Sequence, residues 1–156
     1  MVEPSADIGS MLRISRTYDA PRERVFSAWT EPEQLKRWWG LESTYTTPIA
    51  EVDLRTGGRY RLGMQAPDTD QVYIVSGVFH EVRVPEKLVY SWAWEGEAMT
   101  DMGDEETVVT VEFIERGSST ELVLTHERLP NDQARDQHSA GWNGLLERLA
   151  AALKER

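Results

Sequence analysis

The 156-residue chain contains no cysteine. That excludes disulfides and thiolate-ligated metal, and it removes any need for an oxidising compartment. No run of 18 apolar residues occurs, so no membrane-spanning helix is expected. The opening MVEPSADIGS lacks a basic n-region and an apolar h-region, so no secretory signal is expected and the chain reads as cytoplasmic. Positive charge is scarce: 17 Lys and Arg face 27 Asp and Glu, a net charge of −10. Such a surface repels phosphate, which argues against nucleic acid and membranes as partners. Histidine is rare too, with only His80, His126 and His138. Neither His80-Glu81-Val82-Arg83-Val84 nor His126-Glu127-Arg128-Leu129-Pro130 continues to the second histidine of a zincin helix, so no metal is expected. The chain lacks a G-x-S-x-G nucleophile elbow and a phosphate-cradling loop; Gly57-Gly58 reads as a hairpin turn. No motif assigns a catalytic residue, and no cofactor is expected.

What remains is a globular composition, 40% hydrophobic, with six tryptophans, five tyrosines and three phenylalanines. The length suits one domain with a real core. Residues 1–10 read as a loose arm, and 11–156 as a single domain. Met11 to Tyr18 alternates in the manner of a strand. The period then changes. Asp19 is a candidate N-cap with Pro21 in the first turn, and Val25, Phe26 and Trp29 share a helical face. Thr30-Glu31-Pro32-Glu33 fits a capping box opening a second short helix with Leu35, Trp38 and Trp39 on one side, and Gly40 suits its C′ position. Strands are expected near 48–54, 58–66, 71–83, 87–95, 106–115 and 120–128, divided by turn chemistry at Thr56-Gly57-Gly58, Ala66-Pro67-Asp68, Val84-Pro85-Glu86 and Arg116-Gly117-Ser118. Short connections imply antiparallel neighbours. Asn131 can cap a final amphipathic helix with His138, Trp142, Leu145, Leu146, Leu149 and Leu153 on one face. The expected architecture is α+β: a seven-stranded curved antiparallel sheet, a long C-terminal helix laid on it, and two short helices between strands 1 and 2.

Parity sorts the strand side chains. Leu88, Tyr90, Trp92 and Trp94 share a face, as do Tyr60, Leu62 and Met64; Leu122, Leu124 and His126; and Val109, Val111 and Phe113. Strand 71–83 is ambiguous, because Val75, Gly77 and Phe79 compete with Ile74, Val78 and Val82. The last helix carries Gly141 and Gly144 beside Trp142, at about 1 kcal/mol each relative to alanine. Close packing or a cavity wall would explain them. Trp38, Trp39, Tyr60, Trp92, Trp94 and Trp142 form either an aromatic pocket or a filled aromatic core. His126 and His138 could meet the polar end of a ligand, act as acid and base, or be buried and satisfied. The acid-rich loop from Glu95 to Glu106 reads as a lid or as a solvated hairpin loop. An exposed tryptophan on the second helix would favour a homodimer over a monomer.

Five segments occur in order: DAPRERVFSAWTEPEQLKRWWG, VDLRTGGRYRLGM, SGVFHEVRVPEKLVYSWAW, TELVLTHERLP and HSAGWNGLLERL. Together they resemble the bacterial homologues of the activator of heat-shock protein 90 ATPase, within the START-like (SRPBCC) helix-grip superfamily, over residues 11–153. The resemblance implies a sheet gripping the C-terminal helix and, in many superfamily members, a hydrophobic ligand between the two. It implies no enzyme activity by itself, since some members are polyketide cyclases and others only bind. Residues in position to line such a site are Trp39, Tyr60, Met64, Phe79, Tyr90 and Trp92, with Trp94, His126, His138, Trp142 and Leu146 toward the helix. The expected partner is a small hydrophobic or aromatic molecule. One alternative is a cyclase or isomerase using His126 and a tyrosine in the same cavity. Another is a stress-response protein that contacts a chaperone through its outer surface. Eukaryotic co-chaperones of this family carry a separate N-terminal domain for ATPase stimulation, and the resemblance here is to their START-like part.

Overall fold

A computed structural model of the chain describes residues 10–40, 44–95 and 106–154. Residues 1–9 of the expected arm and 96–105 of the acid-rich loop lie outside the described residues, while Ser10, read as the arm's last residue, opens the first strand. The element order is β1 (Ser10–Tyr18), α1 (Arg22–Thr30), α2 (Pro32–Trp38), β2 (Thr46–Val52), β3 (Arg59–Gln65), β4 (Val72–Arg83), β5 (Lys87–Trp94), β6 (Thr107–Arg116), β7 (Ser119–Leu129) and α3 (Asp132–Lys154). All seven strands join one sheet in the order β1-β7-β6-β5-β4-β3-β2, and every pairing is antiparallel. Strands β2 to β7 form a meander, with short turns everywhere except between β5 and β6. The first strand closes onto the last, so β1 and β2 are the two edges. The helices α1 and α2 therefore carry the chain from one edge of the sheet to the other. On the way α1 packs on β6 and β7 while α2 packs on β2, and both touch α3.

The inward parity holds along β3, β5, β6 and β7: Tyr60, Leu62, Met64, Leu88, Tyr90, Trp92, Val109, Val111, Phe113, Leu122, Leu124 and His126 are all buried. The ambiguity in β4 has a physical origin. The register against β5 shifts between Phe79 and Glu81, so His80 is an extra residue in a bulge. A bulge reverses the parity of the residues beyond it. Val75 and Phe79 are buried before it, Val82 packs on the core after it, and His80 itself is exposed. The pattern of Val75 and Phe79 holds up to the bulge; of Ile74, Val78 and Val82, only Val82, beyond it, turns to the core.

Gly77 lies in the first half, opposite Tyr60. A Cβ there would overlap the Ser91 carbonyl oxygen and approach the Ser91 Oγ to 2.8 Å. Only glycine allows β4 to come this close to β5. The same Ser91 is bonded twice more: Tyr60 Oη donates to its carbonyl (2.7 Å), and its Oγ accepts from Val78 N (2.9 Å).

The helix caps differ from expectation. Helix α1 starts at Arg22 after Pro21, and no side chain caps it, so Asp19 is not its N-cap. Thr30 is the last residue of α1 rather than the cap of α2; its Oγ1 donates back to Phe26 O (2.9 Å), and Glu31 precedes α2 without a side-chain cap. Pro32 explains the shift, because it opens α2 and forces the residue before it out of the helical region. At the end of α2, Trp39 is the C-cap, and Gly40 does not adopt the left-handed conformation of a C′ glycine. Arg148 of α3 supplies what that cap lacks, donating to Gly40 O and Arg37 O at 3.3 Å each. Asn131 does cap α3, with its Oδ1 accepting from Ala134 N at 2.8 Å.

The buried face of α3 is Ala134, His138, Trp142, Leu145, Leu146, Leu149 and Ala152. Gly141 and Gly144 are half-buried at its margin. Trp38 and Trp39 are both buried, 0% and 2% exposed, because α2 turns its tryptophans under α3. Neither indole is therefore available to a dimer interface. Among the described residues no helix is long and apolar enough to cross a membrane.

Candidate functional site

The concave side of the sheet and the three helices enclose a continuous set of aromatic rings. Trp29 stacks on Trp142 (6.0 Å, 14° between planes), Trp142 tilts against Trp92 (4.9 Å), and Trp39 meets both Trp92 and Trp142 edge-on (5.9 and 6.0 Å). On the other side of Trp92, Tyr90, Tyr60 and Phe79 contact one another at 5.1–5.8 Å. Edge-to-face geometry predominates, as the ring quadrupoles favour.

Within this set the structure separates two neighbourhoods that parity alone had merged. The first is a small cavity of about 20 Å³ lined by Trp29, Leu35, Trp39, Val52, Tyr60, Leu62, Phe79, Tyr90 and Trp92. That is room for about one water-sized group. Val52, on the edge strand β2, is half-buried; the other lining residues are buried. Five of the expected residues meet here: Trp39, Tyr60, Phe79, Tyr90 and Trp92. Met64 shares their sheet face but stands further along β3, outside the lining.

The donors around this cavity are unequally served. Tyr60 gives its hydrogen to Ser91 O. Tyr90 Oη accepts from Trp29 Nε1 at 3.3 Å, and no acceptor for its own hydrogen is found among the described residues. Trp39 Nε1 and Trp92 Nε1 are buried with no hydrogen-bond partner among the described residues. Burial raises both phenols well above their ordinary value; the proximity of Tyr90 adds to the effect on Tyr60, and the bond from Trp29 opposes it on Tyr90. Both therefore keep their protons at neutral pH, and Tyr90 is a donor.

The second neighbourhood is a filled, hydrogen-bonded knot. Trp142 Nε1 donates to His126 Nδ1 (3.1 Å), which leaves His126 Nε2 to carry the hydrogen and give it to Thr107 Oγ1 (2.7 Å). Thr107 in turn donates to Trp92 O (3.0 Å). Trp94 Nε1 donates to His138 Nε2 (3.1 Å), so His138 carries its hydrogen on Nδ1 and gives it to Ala134 O (2.8 Å). The two imidazoles meet edge to face at 4.9 Å. One indole donor on each ring selects one neutral tautomer of each histidine, and all four ring nitrogens are engaged by protein groups. Burial holds His126 well below the ordinary imidazole value, with His138 adding to it; burial also lowers His138, partly opposed by its bond to Ala134. Leu146 is fully buried alongside, and its carbonyl accepts from Tyr18 Oη (2.9 Å).

Four lining residues went unassigned from sequence: Trp29, Leu35, Val52 and Leu62. The helical spacing of Val25, Phe26 and Trp29 gave Trp29 an inward direction, but not a neighbour across the fold. Thr107 was also missed, although it shares parity with Val109 and Val111. Among the described residues no three His, Asp or Glu side chains converge as a metal site, and His80 points outward on its bulge.

A curved seven-stranded antiparallel sheet holding a long C-terminal helix, with two short helices between strands 1 and 2, defines a helix-grip, START-like domain. The chain belongs to the family of Activator of Hsp90 ATPase homolog 1-like proteins, whose sequence profile matches residues 19–154. Solved structures agree. An AHSA1-like protein from Aeromonas hydrophila is 27% identical, with a TM-score of 0.73 over 92% of each chain. An HSP90 activator from Plasmodium falciparum is 27% identical, with a TM-score of 0.69 over 92% of this chain and 96% of that one. A protein from Arthrobacter aurescens, at 21% identity, shares the fold with a TM-score of 0.79 over 94% of this chain and 87% of that one. No curated protein sequence matches the chain.

Proposed function

We propose that this domain binds a small, largely apolar ligand between the sheet and the helices, without chemistry of its own. The observation that carries the reading is the aromatic cavity beside Trp92, walled by rings from α1, α2 and strands β3 to β5. Two residues of that wall, Trp39 and Trp92, also leave their indole N–H groups without an acceptor among the described residues, at about 1–3 kcal/mol each. At its present size the cavity takes one oxygen-sized group, whereas sites for drug-sized molecules span roughly 300–1,000 Å³. A larger ligand must therefore part the walls. The wall suited to this is α2 against β2, because β2 is an edge strand held by one neighbour only, and Val52 on it is half-buried. The knot of Trp94, His126, His138, Trp142 and Leu146 then forms the rigid floor.

Native mass spectrometry and then thermal-shift screening of aromatic compounds test this. A compound that binds the fold raises stability by RT ln(1 + [L]/Kd), about 2.7 kcal/mol at a hundredfold excess over Kd. Trp92→Ala should remove that gain, and Met64→Ala, outside the lining, should retain it. A protein that carries no small molecule and shifts with no compound would overturn the reading.

A second reading rests on the likeness to the Plasmodium HSP90 activator. In it the outer surface contacts a chaperone, and binding to that chaperone would survive cavity substitutions that abolish ligand-induced stabilisation.

A further inference from the structure

The two edges of the sheet are not equivalent. Strand β2 is guarded: it contains Pro48, which lacks a ladder N–H, its register against β3 shifts between Thr46 and Ile49, and α2 packs on it. Strand β1 contains no proline, and among the described residues it pairs only with β7. Its register shift ends at Leu12, so Leu12–Tyr18 is a regular run. An unguarded edge of this kind is a template for another strand. Its outward side chains are open as well. Met11, Arg13, Ser15 and Thr17 are exposed, whereas on β7 Val123 is buried and Thr125 half-buried. The strand carries two arginines and no acid. Arg16 is already used, donating to Asn143 Oδ1 (2.7 Å) and Glu147 Oε2 (3.2 Å) on α3. Arg13 makes no hydrogen bond or ion pair among the described residues. On the same face of the sheet, Glu121 of β7 accepts from Ser15 Oγ (3.0 Å) and from Arg116 Nη2 (2.6 Å).

We propose that β1 is a self-association edge: a second copy of this chain adds its own β1 antiparallel to this one, across a two-fold axis at Ser15, and joins the two sheets along Leu12–Tyr18. Ser15 is the midpoint of the regular run, so a two-fold axis there uses all of it. Each residue then faces the one equally far beyond Ser15 on the second copy. Ser15 faces Ser15, Arg13 faces Thr17, Ile14 faces Arg16 and Leu12 faces Tyr18. Outward residues meet outward ones and inward residues meet inward ones, as a continuous sheet requires. No arginine faces an arginine. Thr17 stands opposite Glu121 in the β1–β7 register, so Arg13 of one copy lies in line with the second copy's Glu121. A guanidinium without an ion pair thereby meets a carboxylate that Ser15 already draws toward this edge. The two-fold axis makes the contact twice. An extended segment of another protein could use the same main-chain groups, but the second copy brings Glu121 into register with Arg13. The net charge of −10 on each copy opposes this little, because physiological salt screens charges beyond about 8 Å. No β1 residue lines the aromatic cavity, so the inference is independent of ligand binding.

Sedimentation velocity on the full chain tests this. One paired strand makes a small interface, so the mass should double between about 1 µM and about 500 µM rather than at lower concentration. Arg13→Glu sets a carboxylate in line with the second copy's Glu121 at two symmetric positions and breaks no bond within one copy. It should weaken the dimer at least about tenfold and leave the melting temperature unchanged. The chain has no cysteine, so single thiols report the register cleanly. Ser15→Cys should cross-link on mild oxidation, because facing residues of an antiparallel pair have Cα atoms about 4.5–5.5 Å apart. Thr17→Cys, roughly 14 Å from its symmetry mate in this register, should not. A monomer at every concentration would overturn the proposal and leave the edge to a segment of another protein. A dimer that Arg13→Glu does not weaken would place the interface elsewhere and overturn it too. Cross-linking at Thr17→Cys as fast as at Ser15→Cys would overturn the two-fold axis at Ser15. The wild-type measurement stands even if a variant fails to fold.

Discussion

Gly77→Ala is the sharpest single perturbation of this fold. The added methyl would overlap the Ser91 carbonyl oxygen and stand 2.7 Å from its carbonyl carbon and 2.8 Å from its Oγ. Two of these atoms are backbone in a paired strand, so no rotamer change relieves the clash; β4 and β5 must separate locally. Overpacking of that kind costs about 1–3 kcal/mol. Separation also strains two bonds that depend on Ser91, from Tyr60 Oη and from Val78 N, at roughly 1 kcal/mol each. The expected loss is about 3 kcal/mol, a large part of a stability typically of about 5–15 kcal/mol. With a urea slope of about 2 kcal/mol per molar, the unfolding midpoint should fall by about 1.5 M. Because Tyr60 lines the cavity, any ligand-induced stabilisation should weaken as well. Equilibrium urea denaturation monitored by tryptophan fluorescence measures the shift. A drop below about 0.5 M would refute the claim that β4 and β5 need glycine at this position.

The same geometry gives two further expected outcomes. His126 and His138 both have folded-state values below the ordinary imidazole, so the unfolded chain takes up protons first as pH falls. Stability should therefore drop below about pH 6.5, by up to about 2 kcal/mol at pH 5 for each histidine that stays neutral, and a flat denaturation profile between pH 7 and pH 5 would contradict the two Trp-to-His bonds. Arg128 is exposed and sits at φ 69° opposite the register shift in β1, a left-handed position that costs a residue bearing a Cβ about 1 kcal/mol. Arg128→Gly should raise the melting temperature by a few degrees by scanning calorimetry, and a lowered melting temperature would show that the arginine side chain contributes more than its backbone costs.

Much of the architecture is written locally. Turn residues at Gly57-Gly58, Pro85 and Gly117 cut the chain into neighbouring antiparallel strands, and alternation in β3, β5, β6 and β7 named their buried faces correctly. Where the pattern failed, a single nonlocal event was responsible. The bulge at His80 depends on how β4 meets β5, so Val75 and Val82 look incompatible within β4 alone. The helix caps failed for a nearer reason: Pro32 displaced the start of α2 by more than the Thr30–Glu33 pattern could hold. The distant partner of α2's last carbonyls, Arg148, stands 108 residues away from Gly40, and no local pattern connects them.

The candidate site divides in the same way. Periodicity alone turns the aromatics of the sheet and His126 toward a C-terminal helix bearing His138 and Trp142, because side-chain direction comes from the period of strand and helix. Which of those groups satisfy one another depends on packing across the fold. His126 with Thr107 and Trp142, and His138 with Trp94, close into a knot, while the indole N–H groups of Trp39 and Trp92 find no acceptor among the described residues. That outcome depends on distances of a few ångströms between elements far apart in the chain, where one atom's reach separates a satisfied donor from an orphaned one, and periodicity carries no information at that scale.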